Sequence, residues 1–273
     1  IVIGKTSTAA NSNTGLGHKA LRDVTSGTGN TAVGDSALAL NTTGSSNTAV
    51  GVGSSVATTT GTNNTGIGRN ALTANSTGSE NTAVGMNALQ AYTGPRNTAI
   101  GYNSLFTVSA AASTDNTSIG RQSLYSFTTG TFNIAVGNNS LTAMTTGDFN
   151  TAIGGSAAAS WLTGSKNTTI GYNSAKLTTA GENNILIGYE ATGSSTTANN
   201  EITIGNSLNV NFRLPGSNFY INSGRVLIGG ATDDTTSAVQ VNGVLKATTV
   251  TQTSDVRAKT SIAKIQDALS KVE

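Results

Sequence analysis

The chain has no cysteine, one histidine, one tryptophan and two prolines in 273 residues, and only 10% of its side chains are charged and 5% aromatic. Without thiols there is no disulfide framework, no thiolate metal site and no cysteine nucleophile. His18 alone cannot assemble a metal cluster and reads as a solvated turn residue, so neither metal nor cofactor is expected. Net charge is +2, and residues 1–205 scatter eight basic and eight acidic side chains along their length. A phosphate-binding surface needs a basic patch, so nucleic acid is not an expected partner. No apolar run approaches the roughly 20 residues that span a bilayer. Glycoside hydrolysis needs two carboxylates facing each other about 5–10 Å apart, and no two coils place an acid at the same strand position. Calcium-binding repeats need aspartate-rich turns, which are missing. Glycine does not recur every third residue, which excludes collagen.

What the chain has is a repeated phrase, Asn30-Thr31-Ala32-Val33-Gly34 in one of its clearest copies. The glycine closing each copy recurs from Gly4 to Gly205, and nine of the twelve intervals are 17 residues. The exceptions are a 13 at the start and an adjacent 16 and 19 around Gly101. A fixed short period of this kind marks a solenoid, in which each repeat buries its apolar side only against its neighbours. With low net charge and a strict aliphatic period, disorder is not expected over residues 1–205.

Numbering the asparagine as position 0, that column holds Asn30, Asn47, Asn64, Asn81, Asn97, Asn116, Asn133, Asn150, Asn167 and Asn184, and breaks at Glu201. Asparagines in register are expected to form an amide ladder along the axis. Position +1 is mostly threonine and position +2 is small. Position +3 is always aliphatic: Val33, Val50, Ile67, Val84, Ile100, Ile119, Val136, Ile153, Ile170 and Ile187. Thr, Val and Ile favour extended backbone, and alternation places +1 and +3 on one face. We expect +3 to be the core rung, with two short strands and two turns per coil. On that assignment the threonine file points inward, which argues against an ice-binding face. A coil burying one Val or Ile and one Leu is short of apolar burial. Its small +2 side is therefore expected to pack on sister chains about a shared axis, giving a homotrimer.

Tyr102, Tyr172 and Tyr189 follow the phrase glycine, where an exposed ring is a candidate contact for a sugar. Trp161 and Phe149 read as aromatic turn residues covering a neighbour. After Gly205 the beat stops. Residues 206–253 read as an irregular β collar. Within it, Arg225–Gly229 echoes a strand, and Ala238–Ala247 reads as a hairpin about Asn242-Gly243. In the last segment, 254–273, Ile262, Ile265, Leu269 and Val272 make one helical stripe. The chain begins in mid-phrase, Ile1-Val2-Ile3-Gly4, and reads as a piece of a longer one.

Two resemblances follow from these residues. The phrase Asn-Thr-Ala-Val/Ile-Gly-x-x-Ala-Leu resembles the repeat of trimeric autotransporter adhesin heads, which implies a parallel β-roll with three chains about one axis, although those heads use shorter coils. Ser254-Asp255-Val256-Arg257-Ala258-Lys259, with the hairpin before it and the stripe after it, is similar to the entry of the self-cleaving intramolecular chaperone of phage tail fibres and endosialidase tailspikes. That resemblance implies cleavage of the Ser254–Asp255 bond, with Ser254 as nucleophile and Lys259 as base. A basic residue usual at Val256 and a larger apolar residue usual at Ala258 are missing, as is most of the chaperone's length.

The expectation is thus an all-β protein: a 17-residue-coil parallel β-solenoid or β-roll over 1–205, trimeric about a shared axis, then a hairpin collar and a short C-terminal helix. Functionally it reads as a non-enzymatic, extracellular structural fibre segment of a virion tail fibre or cell-surface appendage. Such a segment holds a region that binds a host glycan or protein receptor. The alternative is a bacterial trimeric surface adhesin or extracellular filament.

Overall fold

The computed structural model describes residues 12–91, 93–106 and 113–206, and the backbone of two further strands, Val226–Ile228 and Val239–Val241. The chain divides into two compact units, Ile1–Val210 and Asn211–Glu273. The first is a parallel β-solenoid. Twelve three-residue strands, from β1 (Thr14–Leu16) to β12 (Ile202–Ile204), form one sheet in strict sequence order. Each phrase supplies one strand, and like pairs with like: Thr31 with Thr48, Ala32 with Ala49, Val33 with Val50. The 16- and 19-residue intervals leave this register intact, since Thr98 pairs with both Thr82 and Thr117.

Only one strand per coil is regular, against the two expected. The rest of the coil is turns, joined to the next coil by backbone bonds such as Leu38 N–H to Ser54 O (3.1 Å) and Thr42 N–H to Thr59 O (3.0 Å). The leucines at position +8, among them Leu38, Leu72, Leu89 and Leu124, adopt positive φ of 47° to 53°. Bulky residues rarely do so, but here the bend swings each leucine into the coil, where all four are fully buried.

Those leucines settle which face of the strand is the core, and the inward assignment of position +3 is overturned. Ala32, Ala49, Ala83, Ala99, Ala135 and Ala152 at +2 are buried to 1% exposure or less. Val50, Ile67, Ile100, Ile153 and Ile170 at +3 are 36–40% exposed, and Val33, Val84, Ile119, Val136 and Ile187 are half-buried on the same outer face. The interior is narrow, and the leucine occupies it opposite +2. A Cβ built on Gly15 would stand 3.5 Å from Leu21 Cδ1. A small residue is needed at +2 because the chain's own leucine approaches it, not because a sister chain does.

The interior changes along the axis at position +11. Early coils place Asn41, Thr58 and Asn75 there, and later ones place Phe127, Met144 and Trp161. The large residues lie beneath the glycine three positions on; a Cβ on Gly164 would stand 2.7 Å from Trp161 Nε1. In that stretch Gly130, Gly147, Gly164 and Gly181 hold φ of 137° to 147°, which Gly27, Gly44, Gly61 and Gly78 do not. Bridges Thr129–Thr146 and Thr146–Thr163 also join neighbouring coils there.

In the second unit, β13 (Val226–Ile228) pairs in parallel with β14 (Val239–Val241). The return arm of the expected hairpin, the C-terminal helix, Ser254 and Lys259 lie outside the described residues.

Candidate functional surfaces

The asparagine column lies inside the coil, each residue 3% exposed or less. Each Oδ1 accepts the backbone N–H of the next asparagine, as from Asn47 N to Asn30 (2.9 Å) and from Asn150 N to Asn133 (3.0 Å). In most coils Nδ2 donates across its own coil to the glycine carbonyl at +14, as Asn133 to Gly147 O (2.8 Å), and also to the preceding asparagine; Asn184 donates to Ala198 O instead and Asn97 to Pro95 O and Ser113 O. Glu201 ends the file. Its N–H still donates to Asn184 Oδ1 (3.0 Å), but its carboxylate has no donor to pass on. It turns instead to the Ser194 N–H (2.9 and 3.0 Å) and to the Ser194 and Thr203 hydroxyls. Burial works against its charge, and these bonds outweigh it, holding the carboxyl below the usual glutamate range.

Outward, the sheet presents two parallel files. One is threonine (Thr31, Thr48, Thr65, Thr82 and onward), replaced by Ile134, Ile185 and Ile202 in later coils; the other is the aliphatic +3 column. The outward threonines remove the ground on which an ice-binding face was set aside. At about 4.8 Å per strand and about 10 Å across, the stripe covers roughly 500 Å². That is at the upper end of the apolar patches that monomeric proteins leave exposed.

The tyrosines stand on the corner after the phrase glycine, Tyr102, Tyr172 and Tyr189 being 41%, 53% and 59% exposed. Tyr172 and Tyr189 stack with centroids 5.7 Å apart, and the Arg121 guanidinium lies 6.0 Å from the Tyr102 ring centre. On the same corner His18 Nδ1 is 2.8 Å from Asp35 Oδ1, and this bond holds the Asp35 carboxyl below its ordinary range. Trp161 is no surface residue. It is buried and donates from Nε1 to Thr163 O (2.6 Å).

A feature not anticipated from the sequence lies along the turn that carries the +14 glycines. The +13 to +16 positions of successive coils form an open groove of about 970 Å³ between Thr146 and Asn200. It continues through the shared Thr146 and Gly147 into a shallower stretch of about 290 Å³ reaching Thr129. Gly147, Gly164 and Gly181 line it together with Thr163, Ser165 and Lys166. Its lining was present in the sequence only as the Thr-Gly turn pairs and the polar residues that follow them.

Among the described residues no three His, Asp or Glu side chains come together as a metal site, and no helix is long and apolar enough to cross a membrane. No protein-family profile, characterised protein or solved structure matches this chain, so its functional reading rests on these surfaces.

Proposed function

We propose that the chain is a structural segment of a homotrimeric extracellular fibre, of the phage tail-fibre kind, that holds a receptor- or surface-binding region away from its base. The observation carrying this reading is the outward Thr–aliphatic stripe of the sheet. A file of half-exposed Val and Ile side chains about 50 Å long is costly to leave in water, and sister chains about a common axis would cover it. The interface therefore moves from the +2 column, which the coil itself fills, to +1 and +3. A bacterial trimeric adhesin uses the same assembly and differs in what flanks the segment; the Ser254–Lys259 stretch favours the fibre.

Mass measurement of the native particle, with and without boiling, tests the assembly. A heat-labile trimer is expected, and a monomer at micromolar concentration overturns it. The same outward threonines favour a second reading, a flat ice-binding face on a monomer. Thermal hysteresis in a monomeric sample would select that reading instead. Self-cleavage at Ser254–Asp255 belongs to the full-length protein. Its gel pattern is expected to lose the cleaved bands in Lys259→Ala, and identical patterns dismiss the assignment.

A further inference from the structure

We propose that the groove along the +13 to +16 side, from Thr129 to Asn200, binds a neutral linear oligosaccharide lying parallel to the solenoid axis. The inference deepens the receptor-presenting reading and rests on it for its biological use.

The first argument is what the groove offers. Backbone N–H groups of the +16 column are spent along the axis: Phe149 N–H bonds Thr131 O, Lys166 N–H bonds Asp148 O and Asn183 N–H bonds Ser165 O. That column offers an extended peptide no free N–H edge, which disfavours strand addition there. What faces the groove is hydroxyl, amide and carboxyl groups beside glycines; Asp148, Ser165 and Asn199 each accept one backbone N–H along the axis and keep further donor or acceptor positions for a ligand. The charges along it are mixed and sparse, Asp148, Lys166 and Glu182. A polyhydroxylated, uncharged chain matches that inventory better than a phosphorylated or acidic one.

The second argument is a pair of aromatic residues that neither core nor backbone explains. Phe132 and Phe149 occupy the same column as Lys166, Asn183 and Asn200, and directly follow Thr131 and Asp148, which line the shallow stretch, without lining it themselves. They are 53% and 55% exposed and stack with centroids 5.3 Å apart. Both sit at positive φ, 57° and 58°, a conformation that suits Asn and is poor for a bulky aromatic. Other coils place Asn63, Lys166 or Asn183 there at the same φ. An exposed aromatic wall beside a polar trough is the pairing that sugars use, C–H faces on the ring and hydroxyls on the side chains. The groove repeats at the strand spacing: the threonine and glycine columns recur from Thr129-Gly130 to Thr163-Gly164, while the two positions after them change from coil to coil.

Titration calorimetry of the whole chain with maltohexaose, cellohexaose and chitohexaose tests this. Saturable binding of at least one is expected, weakened tenfold or more in Phe149→Asn, with the melting temperature unchanged or raised. A purely structural role for Phe149 predicts the reverse, a lowered melting temperature and unchanged affinity, and overturns the site. Failure of all three sugars to bind also overturns it. Native mass on the same sample keeps the two readings apart: a monomer that binds sugar sinks the fibre and leaves the groove, and a trimer that binds none does the opposite.

Discussion

Each ladder asparagine joins its coil to the next through Oδ1 and closes its own coil through Nδ2, two tasks that need an acceptor and a donor on one short side chain. Asn133→Ala would orphan the Asn150 N–H and the Gly147 carbonyl inside the coil. Buried unpaired groups cost about 1–3 kcal/mol each. A loss of about 2–4 kcal/mol in denaturant unfolding is therefore expected, against little change for the outward Thr151→Ser. Glu201 gives a pH prediction. Its folded pKa is depressed, so its contribution is complete above the ordinary glutamate value and is lost as pH falls through the lower folded value. Protection of the Ser194 amide against hydrogen exchange, relative to its intrinsic rate at each pH, should fall over that acidic window, while protection of the Asn133 amide, paired to another amide, should not. Equal loss of protection at both sites would remove the assigned role of Glu201.

The element here is the coil, and its closing glycines are set by contact with the coil above. A Cβ on Gly147 would fall well inside van der Waals contact distance of the Gly164 carbonyl oxygen, at a φ of 139° that L-residues avoid. Gly147→Ala is expected to unfold or disrupt at least two coils, seen as lost ellipticity and protease sensitivity. Gly155→Ala, where the nearest atom would be Tyr172 Cδ2 at 3.3 Å, should fold normally. The interior +11 position makes the opposite case. Asn41 Nδ2 and Oδ1 and Thr58 Oγ1 are buried without hydrogen-bond partners. Asn41→Leu should therefore stabilise by about 1–3 kcal/mol in the same unfolding assay. A destabilised variant would mean that the amide is satisfied in solution.

Across the whole solenoid these differences add up, because each coil touches only its neighbours and stability is close to a sum over coils and their interfaces. Orphaned polar groups occur in both stretches, Asn41, Ser55, Thr58 and Asn75 early and Asn139, Ser174 and Thr178 late, but only the coils from Ser113 onward also bury Phe127, Met144 and Trp161. Heating should melt the first stretch before the second. Trp161 fluorescence, which reports the later coils, is expected to change at a higher temperature than half of the far-UV signal. Coincident transitions would show that the solenoid melts as one unit.

The period, the parallel in-register pairing and the strand at each phrase were legible in the sequence, because a solenoid writes its repeat directly into residue spacing. Position 0 was equally readable, since only a column of amides in register makes a buried polar file tolerable. The direction in which +2 and +3 point was not. Alternation places +1 and +3 on one face without saying which face is inside, and hydrophobicity favoured the wrong one. The answer came from Leu38 and its equivalents, whose left-handed bend carries them into a coil too narrow for a second large side chain. The groove from Thr129 to Asn200 was hidden for a related reason. It is lined by residues of four successive coils around glycines at positive φ, and that juxtaposition is decided in three dimensions rather than along the chain.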